Sequence, residues 1–241
     1  MTQPGRAPIG GIAPGADRPA AERLAEVQRR VARAASAAGR DPASLVLVAV
    51  SKNQPLDAVL ALAGLGVRDF GESRHQEAVR KAGAAPDLRW HFLGRLQRNK
   101  ARAVGRWAST VHSVDRVEML ELLAPSEPQA AGGGRVLKVF IQVSLDGDPT
   151  RGGVPAADVP ALADAVAARP TLRLLGVMAV APAAVPARPA FAALRATSED
   201  LVRRHPGARS ISAGMSGDLE DAITEGATHL RVGTALFGAR A

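Results

Sequence analysis

Residues 45–73 read LVLVAVSKNQPLDAVLALAGLGVRDFGES. Six apolar residues in succession, Leu45–Val50, predict a buried strand. A helical stretch follows over Leu56–Leu65, then a second strand-like run over Val67–Gly71. Strand, helix and strand in this order form a βαβ unit, which implies a parallel sheet. The first strand ends on Ser51 and Lys52, so an amine stands at the end of an apolar strand.

The same alternation continues in both directions. Upstream, Ala21–Arg40 carries a 3.6-residue apolar period through Leu24, Val27 and Val31, with Gly39 as a stop. Downstream, strand-like runs recur at Leu88–Leu93, Thr110–Val114, Val136–Val143, Leu172–Val180, Ser210–Gly214 and Leu230–Val232. Helical stretches lie between them at Arg74–Ala84, Leu96–Trp107, Arg116–Leu123, Val159–Ala168, Phe191–Arg204 and Asp218–Glu225. Eight strands with a helix in each of seven gaps favour a closed (β/α)8 TIM barrel over an open sheet, because closure leaves no edge. The 241-residue length suits one such domain. The expected organisation is a flexible Pro-, Gly- and Ala-rich tail over residues 1–20 and a barrel with one extra N-terminal helix over residues 21–241.

Composition narrows the chemistry. Cysteine is absent, which excludes disulfides, thiolate chemistry and cysteine-based zinc sites. The start has no apolar core of a secretory signal, and the longest apolar run is broken by Gly and Pro, so a soluble cytoplasmic protein without a membrane span is expected. The net charge of +8 invites a nucleic-acid reading, and Arg95, Arg98, Arg102 and Arg106 are spaced to line one helix face. Against it, aromatic residues make up only 3% of the chain, too few for base stacking, so a solvated basic face is the expected reading.

Of the 31 basic residues only Lys52, Lys81, Lys100 and Lys138 are lysine. Arginine cannot act as a nucleophilic amine, whereas a desolvated lysine can. Lys81 and Lys100 fall in polar helical stretches and are expected on the surface, and Lys138 is expected on the outward side of a strand. Lys52 stands apart from all three.

In a barrel, functional groups gather at the C-terminal ends of the strands. The last two ends are rich in small residues: SAGMSGDLEDAI brings Ser212 and Ser216, and LRVGTALFG brings Gly233 and Thr234. Loops after strands seven and eight often hold a phosphate in barrels. A phosphate site opposite a lone lysine suits a phosphorylated aldehyde, and pyridoxal phosphate is one. Arg231, on the last strand, reads equally as a partner of the pyridine nitrogen or as a salt-bridged barrel residue. His91 and His112 read equally as structural or cofactor-side groups, Met178 and both tryptophans as packing residues, and Asp146 and Asp148 as turn residues. No spacing suggests a metal site.

With these segments in view, the chain from about Leu24 to Arg240 resembles the pyridoxal phosphate homeostasis proteins, single-domain relatives of the alanine racemase barrel. LVAVSK, DFGE, WHFLGRLQRNK, HSVD, IQVSLDGDPTRGG, LLGVMA, SAGMSGDLEDAI and LRVGTALFGAR carry the resemblance. It implies pyridoxal phosphate on Lys52 as a Schiff base, phosphate contacts from Ser216, Gly233 and Thr234, and Arg231 at the pyridine nitrogen. Ser73 stands where the family has Asn, at the expected cofactor edge, and Ala213 stands where it has Met. The implied role is a carrier acting in vitamin B6 homeostasis, as a monomer that passes its cofactor to apo-enzymes, with no catalytic residues assigned. The alternative is a racemase-like enzyme using the same site. The absence of tyrosine counts against it, because alanine racemase takes its second acid/base from a tyrosine.

Overall fold

A computed structural model describes residues 19–124 and 135–238. The Pro- and Gly-rich start and the glycine run before the fifth strand fall outside the described residues. Eight parallel strands close into one barrel in the order β1 to β8. They are β1 Val46–Val50, β2 Asp69–Glu72, β3 Arg89–Phe92, β4 Thr110–Val114, β5 Leu137–Gln142, β6 Leu172–Met178, β7 Ser210–Ser212 and β8 His229–Val232. Closure comes from β1 pairing with β2 on one side, Val50 opposite Gly71, and with β8 on the other, Val48 opposite Arg231. The expected barrel is therefore the observed one.

The helices are α1 Ala20–Ala37, α2 Leu56–Gly64, α3 His75–Ala84, α4 Arg98–Trp107, α5 Glu118–Leu123, α6 Val159–Ala167, α7 Ala187–Arg204, α8 Leu219–Thr224 and α9 Thr234–Phe237. Two of them differ most from the sequence expectation, α7 and the additional α9. α7 starts at Ala187 rather than Phe191, because Pro189 sits in its first turn, where backbone N–H groups lack intrahelical partners anyway. α9 is a single turn after β8, too short to show a period. α1 ends before Gly39, whose φ of 66° reverses the chain.

The outward faces of the strands meet the helices in one apolar layer, including Phe70, Val111, Leu137 and Val177. α1 packs across α8 and α9, where Arg23 Nε donates to Leu236 O at 2.7 Å and Arg40 to Ile223 O at 2.7 Å. Trp90 and Met178 are buried in packing roles. Lys138 is exposed on β5, but the outward expectation does not hold. Alternation puts it on the interior side with Phe140, which stacks on His112 and His229, and not on the outward side with Leu137 and Val139. It is exposed because it sits at the N-terminal end of the barrel. Arg98, Arg102 and Arg106 are exposed along α4, with Arg95 ahead of the helix. Among the described residues, no helix is long and apolar enough to cross a membrane.

Lys81 corrects the sequence expectation. It is 5% exposed, held beneath the β1–α2 turn by carboxylates that its helix pattern does not reveal.

Candidate cofactor site

The C-terminal ends of the strands enclose a cleft of about 320 Å³. Lys52 follows β1, Ser73 follows β2, Leu93 follows β3, Val180 follows β6, Ser216 follows β7, and Gly233 and Thr234 follow β8. Arg231 lines the same cleft from within β8. Six of the seven residues expected to hold the cofactor thus share one cavity. The seventh, Ser212, lies in β7 and is buried in the interior, where it touches Arg231.

Lys52 is exposed, and among the described residues no hydrogen bond or ion pair engages its amine. Its backbone neighbours are tightly held. Ser51 N donates to Gly71 O at 2.9 Å, and Gln54 N donates to Ser51 O at 3.0 Å. Asn53 is the one non-glycine residue with positive φ among those described, at 62°. Asparagine tolerates this conformation better than most residues. Next to this turn, Gly94 is needed for close approach: a Cβ there would lie 2.2 Å from Ser73 O.

On the other side, Ser216 Oγ accepts from Ala235 N at 3.3 Å and so ties the loop after β7 to the one after β8. Arg30 of α1 supports this loop from outside, donating to Ser216 O at 3.0 Å while paired with Glu220 at 2.7 Å. That buttress was not visible in the sequence, because α1 and α8 are nearly two hundred residues apart.

Arg231 is buried. It donates to Ser212 Oγ at 2.6 Å and to Ala179 O at 2.8 Å, and no carboxylate pairs with it among the described residues. The salt-bridged reading of Arg231 therefore does not hold. Burial pulls its pKa down to about 10, so it stays charged at neutral pH.

Behind Arg231 a polar chain crosses the barrel interior. Ser212 Oγ meets His112 Nδ1 at 2.8 Å, His112 Nε2 meets His91 Nδ1 at 2.8 Å, and His91 Nε2 meets Asp69 Oδ1 at 3.0 Å. Arg89 closes the chain on Asp69 with two further donations. Burial acts to raise the Asp69 pKa, but hydrogen bonds from Arg89 and His91 outweigh it and hold the carboxyl well below the usual range. Burial keeps His112 neutral. The contacts thus run without a gap from Arg231 through Ser212, His112 and His91 to Asp69. His91 and His112 are thus structural members of the interior rather than cleft-lining groups.

The residues match known proteins along nearly their whole length. The profile of the alanine racemase N-terminal domain matches residues 23–241. A Pseudomonas aeruginosa protein named pyridoxal phosphate homeostasis protein is 44% identical over 222 residues, 91% of this chain and 95% of its own length. The chain belongs to the pyridoxal phosphate homeostasis protein family. Its Escherichia coli relative of the same name is 37% identical over 228 residues, 91% of this chain and 96% of its own. The structure of PipY from Synechococcus elongatus with PLP bound is 36% identical, with a TM-score of 0.77 over 91% of this chain and 100% of that one. Alanine racemase from Corynebacterium glutamicum, at 15% identity and a TM-score of 0.68, shares the fold. It covers 91% of this chain, which spans 61% of the racemase. Ser73 lines the cleft, and Ala213 is buried in the apolar core.

Proposed function

We propose that the protein binds pyridoxal 5'-phosphate, holds its aldehyde carbon on Lys52 as a Schiff base, and serves in intracellular vitamin B6 homeostasis by carrying and releasing the cofactor. One observation carries the reading. An unengaged amine, a buried guanidinium and two hydroxyl- and glycine-lined loops face a single cleft. This donor set fits a phosphorylated aromatic aldehyde. Lys52 meets the aldehyde, Arg231 meets the ring, and Ser216 with the Gly233–Thr234 loop meets the phosphate. Bound there, the aldehyde would be held through a C=N bond to Lys52 Nζ, formed with loss of water. It would pass to another amine by exchange that frees the Lys52 amine without electron transfer. When bound, the group supplies a reversible aldehyde carrier. In racemases it also serves as an electron sink.

The chain's own residues favour carriage over turnover. Arg231 is a permanent cation that cannot accept a proton, so a ring nitrogen facing it stays unprotonated and draws electrons weakly. The chain has no tyrosine to act opposite Lys52. The test pairs two assays on loaded protein: transfer of the cofactor to an apo-enzyme, and solvent deuterium exchange at the amino-acid Cα. Transfer without Cα exchange is expected. Rapid Cα exchange that depends on Lys52 would instead support a racemase-like enzyme.

A further inference from the structure

We propose that Lys81 is a positioning residue for Lys52, clamping the backbone on both sides of the reactive lysine through Glu72 and Glu77. The inference rests on the reading of Lys52 as the cofactor lysine. Ahead of Lys52, Lys81 Nζ donates to Ser51 O at 2.7 Å, and Ser51 Oγ donates to Glu72 Oε1 at 2.7 Å. After Lys52, Asn53 N donates to Glu77 Oε1 at 2.8 Å. Lys81 joins the two halves, because it also donates to Glu72 Oε1 and to Glu77 Oε1, each at 2.7 Å. An ammonium has three donors, and all three are engaged on the clamp. Lys81 Nζ is therefore turned into the clamp and away from the cleft. It holds residue 52 from behind while the Lys52 side chain remains unengaged at the cleft.

Residue choice supports the same conclusion. The chain has 31 basic residues, and only four of them are lysine. Three converging oxygens suit a compact ammonium with rotatable donors, whereas the planar guanidinium fork does not converge on them. Both lysines at this turn are thus in places that arginine cannot fill, one for its chemistry and one for its geometry. Small displacements of a reacting group cost rate and affinity steeply, which makes a rigid turn beneath Lys52 consequential.

The test uses the full chain with Lys81→Met, Lys81→Arg and Glu77→Ala. The first arm is amide hydrogen exchange over residues 52–54 in the ligand-free protein. The second compares affinity for pyridoxal phosphate with that for 4-deoxypyridoxine 5'-phosphate, which lacks the aldehyde. In Lys81→Met and Glu77→Ala, exchange is expected to accelerate about tenfold and pyridoxal phosphate affinity to fall about tenfold, with the deoxy analogue within about twofold of wild type. Lys81→Arg should not restore either value. Unchanged exchange, equal losses for both ligands, or full rescue by arginine would overturn the proposal. Should Lys81→Met not fold, Glu77→Ala, at the rim of the cluster, carries both arms. If wild type itself does not condense with pyridoxal phosphate at Lys52, the cofactor reading fails separately, and the exchange arm alone then decides whether the clamp exists.

Discussion

Lys52 and Lys81 have the same side chain on neighbouring elements, and the fold treats them in opposite ways. Lys52 stands in the open cleft with no partner among the described residues. Lys81 is buried in α3 and bonded to two carboxylates and a carbonyl. The difference separates the barrel into a reactive mouth and a tightly bonded root. At the mouth the Lys52 amine is left unpaired among the described residues, so that it can meet a ligand. At the root the Lys81 amine is paired through all three of its donors, because an unpaired buried charge is costly, although Glu72 Oε2 has no hydrogen-bond partner among the described residues. Arg231 stands at the boundary: its guanidinium lines the cleft but is fixed from behind by Ser212 and Ala179.

The contrast is broken most severely at the mouth. Lys52→Ala should abolish covalent trapping of pyridoxal phosphate while changing stability by no more than about 0.5 kcal/mol, since an exposed side chain is removed. Absorbance of the loaded protein and a urea melt measure the two effects. At the root the pattern should invert. Lys81→Met leaves Glu72 buried without its cation, which is expected to cost about 3–5 kcal/mol of stability by urea denaturation. If Lys81→Met were as harmless to stability as Lys52→Ala, the distinction between mouth and root would be lost.

Lowering the pH sharpens the same comparison, because His229 and His112 resist protonation. Burial pulls the His229 pKa from its ordinary 6.5 to about 4. Between those values the unfolded chain takes up a proton that the folded chain refuses, so stability falls as pH drops from about 6.5 to about 4. The full shift is worth about 3 kcal/mol, at about 1.4 kcal/mol per pKa unit. His112, lowered by its own burial, acts in the same direction. His229→Gln should flatten the slope of unfolding free energy against pH over this window. A slope identical to wild type would contradict the assignment. The smallest effect is expected at the other side of the mouth, where Ser216→Ala should weaken pyridoxal phosphate by about 1 kcal/mol and pyridoxal by less. Equal losses for both would count against a phosphate contact.

Much of the mouth was legible in the sequence because it follows from order alone. The apolar run ending at Lys52 and the small-residue ends of strands seven and eight lie together once a barrel closes, whatever the details of packing. The root was not legible. Glu77 and Lys81 are four residues apart on α3, a spacing that ordinarily marks an exposed pair. Only Glu72, at the end of a strand with every position buried, hinted that a cation must come from elsewhere. Ser212 was misplaced relative to the cleft for a related reason. β7 ends at Ser212 rather than Gly214, and alternation along the strand turns that hydroxyl to the interior. The chain of His91 and His112 depends on contacts across the barrel, between β3, β4 and β7, that strand order does not specify.

The central claim is that one lysine is left free to react while its neighbour is held. Borohydride reduction of the protein loaded with pyridoxal phosphate, followed by peptide mapping, tests it most directly. The account predicts a single pyridoxyl label at Lys52 and an unmodified Lys81. Label at Lys81, or spread over several lysines, or a protein that retains no label after reduction, would contradict it.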